Sequence, residues 1–262
     1  MSFEDDLHSA TLLSLNIQND TSATSRTNSC IVIESINTTR VTNPVWTPKV
    51  PTIMLANIMS LAPKMDEVTE FILRHNTSLA FITETRLKDS VSDSVVQIPG
   101  FTVVRKDRKV IDHGGVCAYI QEGNCRYKQL KDLNCCEDHE SLWLYLTLNR
   151  LPRGFSCIIA GVIYHPPKDD GPLLRNHLFQ SLALTEARYP NCGLLITGDF
   201  NPLNIDGLLN HFRLKQIVKV PTRKKATLDF ILTNMHEYYS PPQAYPPFGL
   251  SDHNVVVATP ME

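Results

Sequence analysis

The chain has 262 residues, of which 42% are hydrophobic and 20% charged, and its formal net charge is −2. This composition is enough for a sizeable core, in one large domain or in a domain with a tail. It excludes a polycation, so any contact with nucleic acid must use local basic patches.

The cysteines and the apolar runs limit the compartment and the class of protein. The 7 cysteines are scattered without paired metal-ligand spacing, which argues against a zinc site and against a secreted disulfide scaffold. No apolar run approaches the roughly 20 residues that span a bilayer. The acidic start MSFEDDLHSA lacks the features of a secretory signal. We therefore expect an intracellular protein that does not enter a membrane.

Residues 1–50 differ in composition from the rest of the chain. The segments NDTSATSRTNSC and INTTRVTNP are rich in Ser, Thr and Asn, which compete for backbone hydrogen bonds and offer little surface to bury. We predict a mostly disordered leader, in which the apolar runs LLSLNI and CIVIESI are able to dock or pair. Pro44, Pro48 and Pro51 mark a linker, and residues 51–262 form the folded domain.

Apolar runs and helical periodicity then follow in chain order. A strand over Thr52–Asn57 precedes a helix over Pro63–Arg74, which has proline in its first turn. Leucines at four-residue spacing from Leu174 to Leu182 predict a second helix before Pro190. The many strands and few helices favour two stacked sheets over one parallel sheet. The other predicted strands are Ser78–Thr83, Val116–Ile120, Leu142–Leu148, Cys157–Tyr164, Gly193–Thr197, Thr227–Leu232 and Asn254–Ala258.

Polar residues interrupt or end these apolar runs at positions where turn residues are expected. A carboxylate at the end of a buried strand costs free energy unless it is paired or binds a metal. Several strands that end in this way predict a shared polar cleft at one edge of the sheets. The residues concerned are Asn57, Glu84, Tyr164, Asp199, Asn201, Asp229, Asp252 and His253.

Four of these residues supply the parts that hydrolyse a phosphodiester with the help of a metal. Glu84 is a suitable ligand for a hard cation such as Mg²⁺, and Asn57 supports it from the neighbouring strand. Asp199 is able to orient or deprotonate the attacking water. Asn201, two residues further on, is able to steer that water or hold a phosphate oxygen.

The negative charge that develops on the phosphate needs a hydrogen-bond donor. Protonated His253 and Tyr164 are the two candidates. A histidine in this role needs a carboxylate to orient it, and Asp229 is the candidate. Asp252 is a further metal ligand or holds a water molecule.

Seven motifs follow one another along the chain: NIMSL (Asn57–Leu61), TET (Thr83–Thr85), VIYHPP (Val162–Pro167), GDFN (Gly198–Asn201), PTR (Pro221–Arg223), TLDFILTN (Thr227–Asn234) and SDH (Ser251–His253). GDFN alone is a weak signal, whereas the complete ordered set is a strong one, and it covers the chain from about residue 52 to the end. In this order the motifs resemble those of the endonuclease/exonuclease/phosphatase superfamily, and most of all the endonuclease domain of non-LTR (LINE-type) retrotransposons.

The resemblance implies a DNase-I-like, four-layered α/β sandwich, in which two stacked, mostly antiparallel sheets are flanked by helices. It also implies Mg²⁺, with Mn²⁺ as the alternative, and nicking of target DNA as the activity. We expect no reverse transcriptase in this chain. The implied roles are metal binding for Asn57, Glu84 and Asp252, catalysis for Tyr164, Asp199, Asn201, Asp229 and His253, and substrate contact for Thr222 and Arg223.

Other features give secondary expectations. Met59 stands where the retrotransposon motif often has arginine, which removes one phosphate contact, and the segment between GDFN and PTR is short. The basic run 105–109 is expected to be a solvated loop, and the run 223–225 to be the better DNA-backbone contact. We expect His165 to be exposed on the surface, with a place at the cleft rim as the alternative. Gly114–Gly115 predicts a tight approach into the following strand.

Two alternatives remain open at this point. The same fold is able to act on another phosphoester, such as a phosphoinositide, sphingomyelin or a nucleotide. A retrotransposon remnant is also able to lose activity and serve as a binding module. A nuclear location follows only from the inferred DNA substrate.

Overall fold

The computed structural model describes residues 50–108, 113–133, 140–167 and 171–261. The predicted leader lies outside these ranges apart from Val50, so its disorder stays a prediction. No helix in the described ranges is both long enough and apolar enough to cross a membrane.

Two six-stranded sheets and three helices make up the described part of the chain. The strands are β1 (Ile53–Asn57), β2 (Leu79–Thr83), β3 (Phe101–Lys106), β4 (Val116–Gln121), β5 (Cys125–Gln129), β6 (Glu140–Leu148), β7 (Cys157–Tyr164), β8 (Cys192–Asp199), β9 (Lys215–Gln216), β10 (Asp229–Thr233), β11 (Gln243–Tyr245) and β12 (Val255–Ala258). The helices are α1 (Met65–Arg74), α2 (Gly171–Arg188) and α3 (Asp206–His211).

Each sheet is built around one parallel pair of strands. The first sheet has the order β11-β12-β1-β2-β4-β3 and the second the order β5-β6-β7-β8-β10-β9. The pairs β1–β2 and β7–β8 are parallel, and the other neighbours are antiparallel. The carboxyl ends of a parallel pair meet at the same edge, so Asn57 is level with Thr83, and Tyr164 with Asp199.

Apolar side chains along the central strands alternate between two cores. In β1, Leu55 belongs to the core between the sheets, and its neighbours Met54 and Ala56 belong to the core beneath α1. Val68 and Ile72 of α1 are buried in the latter core. On the other side, α2 and α3 pack their buried leucines against the second sheet. The predicted four-layered α/β sandwich is therefore confirmed, and the strands read as continuous apolar runs because both faces are covered.

The basic run from residue 105 onward was expected to be a solvated loop, and this prediction is wrong for its first part. Arg105 and Lys106 belong to β3. The guanidinium of Arg105 is 12% exposed and pairs with Asp107 at 2.5 Å. Arg108 pairs with Glu140 at 2.8 Å, and residue 109 lies outside the described ranges. Ion pairing with nearby acids allows these cations to sit in and beside a strand.

Gly198, in GDFN, lies in β8 directly against the backbone of its partner Ile163 in β7. Its φ is +142°, and a Cβ built there would lie 1.8 Å from the carbonyl oxygen of Ile163. No side chain fits in that space, because the obstacle is backbone of a central strand. The glycine of GDFN is therefore required by packing.

We expect Gly198→Ala to lower the free energy of unfolding by about 3 kcal/mol or more, through overpacking and backbone strain. Chemical denaturation measures this change. Gly207→Ala is the matched control, because a Cβ at this α3 residue meets nothing within 4 Å, and it should be neutral or slightly stabilising. Similar stabilities for the two variants would contradict the packing argument.

Candidate active site

The predicted polar residues converge where the central strands of both sheets end. The amide nitrogen of Asn57, the last residue of β1, lies 2.9 Å from Glu84 Oε1 and 2.9 Å from Asp199 Oδ2. Ionised carboxylates only accept hydrogen bonds, so the amide must donate to both. One side chain of the first sheet thereby joins an acid at its own edge to an acid on the second sheet. The side-chain nitrogen of Asn57 therefore bridges the two acids, and its predicted metal binding stays a prediction.

Glu84 is held in a turn directly after β2. Its φ is +52°, and Tyr164 donates its hydroxyl to Glu84 Oε1 at 3.0 Å. The other oxygen lies 3.3 Å from Arg86 Nη2, and the Glu84 side chain is 18% exposed. An acid that is fixed by its neighbours and still reached by solvent is suitably placed to bind a cation.

The loop after β1 is joined to the loop after β2 by backbone hydrogen bonds. Ser60 donates to the carbonyl of Glu84 at 2.9 Å, and Leu61 to that of Thr85 at 2.9 Å. Met59 and Ser60 both have positive φ values, of 46° and 84°. Backbone strain of this kind clusters at functional sites, and here it directs both loops along the edge of the sheet.

Asp199 and Asn201 form the turn of GDFN at the end of β8. The amide NH of Asn201 donates to Asp199 Oδ1 at 2.9 Å, which is an Asx-turn. The side-chain nitrogen of Asn201 donates to the carbonyl of His165 at 2.7 Å. The turn therefore fixes the Asp199 carboxylate.

His165 is 5% exposed, so the expectation of an exposed histidine is wrong: the turn after β7 folds inward against Asn201.

The predicted histidine–carboxylate pair is present. His253 Nδ1 lies 2.8 Å from Oδ2 of the fully buried Asp229. The other ring nitrogen, Nε2, lies 4.0 Å from Asp199 Oδ2 and 3.9 Å from Asp252 Oδ1. The hydroxyl of Ser251 donates to the carbonyl of Asn57 at 2.7 Å, which ties the SDH segment to β1. The ring is thus fixed with Nε2 directed towards the acids of the cleft.

The PTR turn lies beside the SDH segment, because Asn254 donates its backbone NH to the carbonyl of Thr222 and Arg223 pairs with Asp252. Thr222 is fully buried, and its hydroxyl accepts the backbone NH groups of Leu228 and Asp229 at 3.0 and 3.2 Å. The hydroxyl thereby fixes the start of β10, and the expected phosphate contact of Thr222 stays a prediction. Arg223 Nη2 lies 2.7 Å from Asp252 Oδ2. Asp252, which was expected to bind metal, therefore forms an ion pair with the guanidinium of Arg223, and its side chain is 48% exposed.

The protonation of the site follows from burial and from its charges. Burial, and then the charge of Asp229, raises the pKa of Asp199 to about 7. Burial alone would lower the pKa of His253, but its hydrogen bond to Asp229 and the neighbouring acids outweigh burial and raise it. Burial, followed by the charge of Glu84, raises the pKa of Tyr164, so this hydroxyl remains a donor.

Three buried groups form a possible metal site. Ligand atoms of Asp199, Asp229 and His253 all lie within 4.8 Å of one another. Asp229 Oδ1 is buried without a hydrogen-bond partner in the described part of the chain, and such an orphaned oxygen fits a cation. This Asp-Asp-His cluster could bind a metal ion, and Glu84 supplies a further oxygen across Asn57.

Two cations of the site were missed from the sequence. Lys64 donates to the carbonyls of Ile58 and Met59, the latter at 3.0 Å, and burial lowers its pKa. Arg86 lies beside Glu84, and its NH donates to the carbonyl of Gly114 at 2.8 Å. The sequence signal that could have identified Arg86 was its place two residues after Glu84, an acid at the end of a strand.

Gly114 and Gly115 have φ values of 101° and 84°, in agreement with the predicted tight approach.

The raised pKa values predict how stability depends on pH. Asp199 and His253 both hold a proton more tightly when folded, so the free energy of unfolding falls as pH rises. Deprotonation of Asp199 lowers the free energy of unfolding up to about pH 7. Deprotonation of His253 lowers it further above pH 6.5. We expect the Tm of the metal-free protein to drop by about 2–4 °C between about pH 6 and pH 8.

Thermal denaturation in EDTA measures this drop. Asp199→Asn should reduce it, whereas Asp206→Asn, at an exposed position in α3, should not. Equal drops in all three proteins would show that Asp199 does not titrate as described.

No protein-family model and no curated protein matches the chain. Solved structures do match it. The endonuclease domain of TRAS1, a telomere-specific non-LTR retrotransposon, is 13% identical with a TM-score of 0.62, and the match covers 81% of this chain and 99% of that chain.

Two further structures have the same architecture. The AP endonuclease LMAP from Leishmania major is 12% identical with a TM-score of 0.60, covering 82% of this chain and 93% of that one. The human Nocturnin catalytic domain is 15% identical with a TM-score of 0.58, covering 80% and 92%. Structural likeness at such low sequence identity establishes the fold alone. The fold is that of the endonuclease/exonuclease/phosphatase superfamily, as the order of the motifs predicts.

Proposed function

We propose that this chain is a metal-dependent DNA endonuclease of retrotransposon type, which nicks its target by hydrolysing a phosphodiester bond. The observation that carries the proposal is the Asn57 bridge between Glu84 and Asp199, with the Asp229–His253 pair directed at the same acid. These contacts bring a candidate metal ligand, a base and a proton donor to one edge of the sandwich.

Glu84 is the residue we assign to the metal, and Asn57 holds its carboxylate in place. Its side chain is partly exposed, and its oxygens are the hard ligands that Mg²⁺ prefers, with Mn²⁺ as the alternative. When bound, the cation supplies positive charge that polarises the phosphate. A cation is less favourable at His253, because the raised pKa favours a positively charged ring.

Asp199 is the general base in this proposal. Its pKa of about 7 is close to the working pH, where a base is most effective. Asn57 and Asn201 each donate one hydrogen bond to the carboxylate, so its direction is fixed before substrate binds. Asp199 therefore takes a proton from the attacking water.

His253 and Tyr164 are the donors to the phosphate oxygens. Asp229 holds Nδ1 of His253, so a proton on Nε2 is directed into the cleft. Tyr164 keeps its proton because its pKa is raised, and in this proposal its hydroxyl turns from Glu84 to the phosphate when substrate binds. Donors that are fixed before the reaction stabilise the charge that develops in the transition state.

Several observations favour DNA over other phosphoesters. The TRAS1 domain is described as the endonuclease of a retrotransposon, and a 3′ phosphatase from Neisseria, 14% identical with a TM-score of 0.56 over 81% of this chain, was solved bound to product DNA hairpin. The basic residues at 223–225 lie next to the SDH segment through the Arg223–Asp252 pair. The mutual contacts among the site residues argue against a dead remnant, since drift would have broken some of them.

Nicking of supercoiled plasmid by the full-length protein with Mg²⁺ tests the proposal. We expect open circles from the wild type, no nicking in EDTA, and a rate about a thousandfold lower for Asp199→Asn. Asp206→Asn is the matched control and should nick like the wild type. A folded protein that binds metal but leaves the plasmid intact would refute the DNA function, and assays with small phosphoesters would then distinguish another substrate from a dead module.

Arg86 is expected to contribute to turnover, because its guanidinium lies at the cleft beside Glu84, on the edge where Met59 provides no cation. Arg86→Met should lower kcat by about tenfold to a hundredfold with a smaller effect on KM, if the cation acts mainly in the transition state. Arg126→Met, at an exposed position in β5, is the control. An effect on KM alone would instead indicate that Arg86 stabilises the bound substrate and the transition state equally.

A further inference from the structure

Leu250 is the most exposed large apolar side chain among the described residues. It is 86% exposed, yet it stands between Phe248 and Ser251, which are 5% and 6% exposed. Single exposed apolar residues are common on protein surfaces. This one is unusual in its position, because the next residue, Ser251, donates to the carbonyl of Asn57 at 2.7 Å, and His253 follows three residues after Leu250.

The turn that carries Leu250 is fixed on both sides. The backbone NH of Gly249 donates to Glu67 Oε2 at 3.0 Å, and the backbone NH of Ser251 donates to the carbonyl of Phe248 at 3.0 Å. The ring of Phe248 packs edge-on against that of Phe71, with centroids 5.4 Å apart. With its neighbours anchored, the turn holds the Leu250 side chain in solvent.

A basic turn lies next to this segment. Arg223 pairs with Asp252, and the NH of Asn254 donates to the carbonyl of Thr222 at 2.7 Å. Lys224 and Lys225, which follow Arg223, are both exposed. The rim of the cleft therefore combines an apolar tip with adjacent cations.

We propose that Leu250 is an apolar wedge, which enters a groove of duplex DNA beside the bond to be cut and partly unstacks one base step. The inference rests on the proposed DNA function. Cations beside the wedge match the phosphates that flank a groove, and single apolar side chains suffice to unstack and kink a base step. A lipid surface fits less well, because stable membrane binding needs a larger apolar face than one leucine.

Duplex binding by the full-length protein in EDTA, measured by fluorescence anisotropy, tests the contact. We expect Leu250→Ala to weaken binding about tenfold, which corresponds to burial of one leucine side chain. Leu250→Met should bind like the wild type, because a flexible apolar side chain of similar volume still fills the groove. Leu73→Ala, which removes a leucine that is 56% exposed near the end of α1, is the control and should not change binding.

The salt dependence separates the wedge from the basic turn. Leu250→Ala should leave the slope of log affinity against log salt unchanged, since no counterion is released by an apolar contact. Lys224→Ala should reduce the slope by about one. A duplex with 2-aminopurine beside the mapped nick should fluoresce more when the wild type binds, and this increase should be lost in Leu250→Ala.

Unchanged binding and fluorescence in Leu250→Ala would overturn the wedge. So would an equal loss of binding in Leu250→Met, because an apolar side chain of similar volume would then fail to replace leucine. Leu250-dependent binding to phosphatidylserine vesicles without duplex binding would also overturn it, in favour of a lipid partner. If the wild type nicks plasmid and only the wedge tests fail, the proposed function stands. A wild type that neither nicks nor binds duplex would remove both.

Discussion

The shared hydrogen bonds of the Asn57 amide are the interaction on which the rest of the site depends. Glu84 and Asp199 belong to different sheets, and two carboxylates brought close together repel each other unless a donor or a cation lies between them. The amide supplies that donor at 2.9 Å to each acid. This geometry requires the central parallel pairs of both sheets to end at the same level, so the register of the whole sandwich determines the cleft.

The sequence predicted the central strands and the convergence of their polar ends because burial on both faces leaves continuous apolar runs. It missed β5, an edge strand with exposed residues, and the short strands β9 and β11, which have two and three residues. Such strands bury little and depend on hydrogen bonds to partners distant in sequence. In β3, ion pairing overrides the solvated loop that the charge run indicates.

Some contacts of the site residues could be predicted from the sequence, and others could not. The pairing of Asp229 with His253 follows from residue types that need each other, and it is present. The inward direction of the Thr222 hydroxyl depends on where the β10 backbone lies, and spacing along the chain carries no such information. Arg86 was overlooked because its relevance comes from the turn at Glu84, where a positive φ directs the following residues along the sheet edge.

Burying the acids lowers the free energy of unfolding, and the apolar core between the sheets offsets this loss.

Gly198 has a consequence for how related sequences are interpreted. Its place beside the Ile163 carbonyl is a demand of the parallel pair β7–β8 and has no part in the chemistry. A relative that lost the carboxylate of Asp199 would still need this glycine in order to fold. The glycine of GDFN therefore marks membership of the fold, whereas the acid that follows it, together with the partners of that acid on the other sheet, distinguishes an active copy from an inactive one.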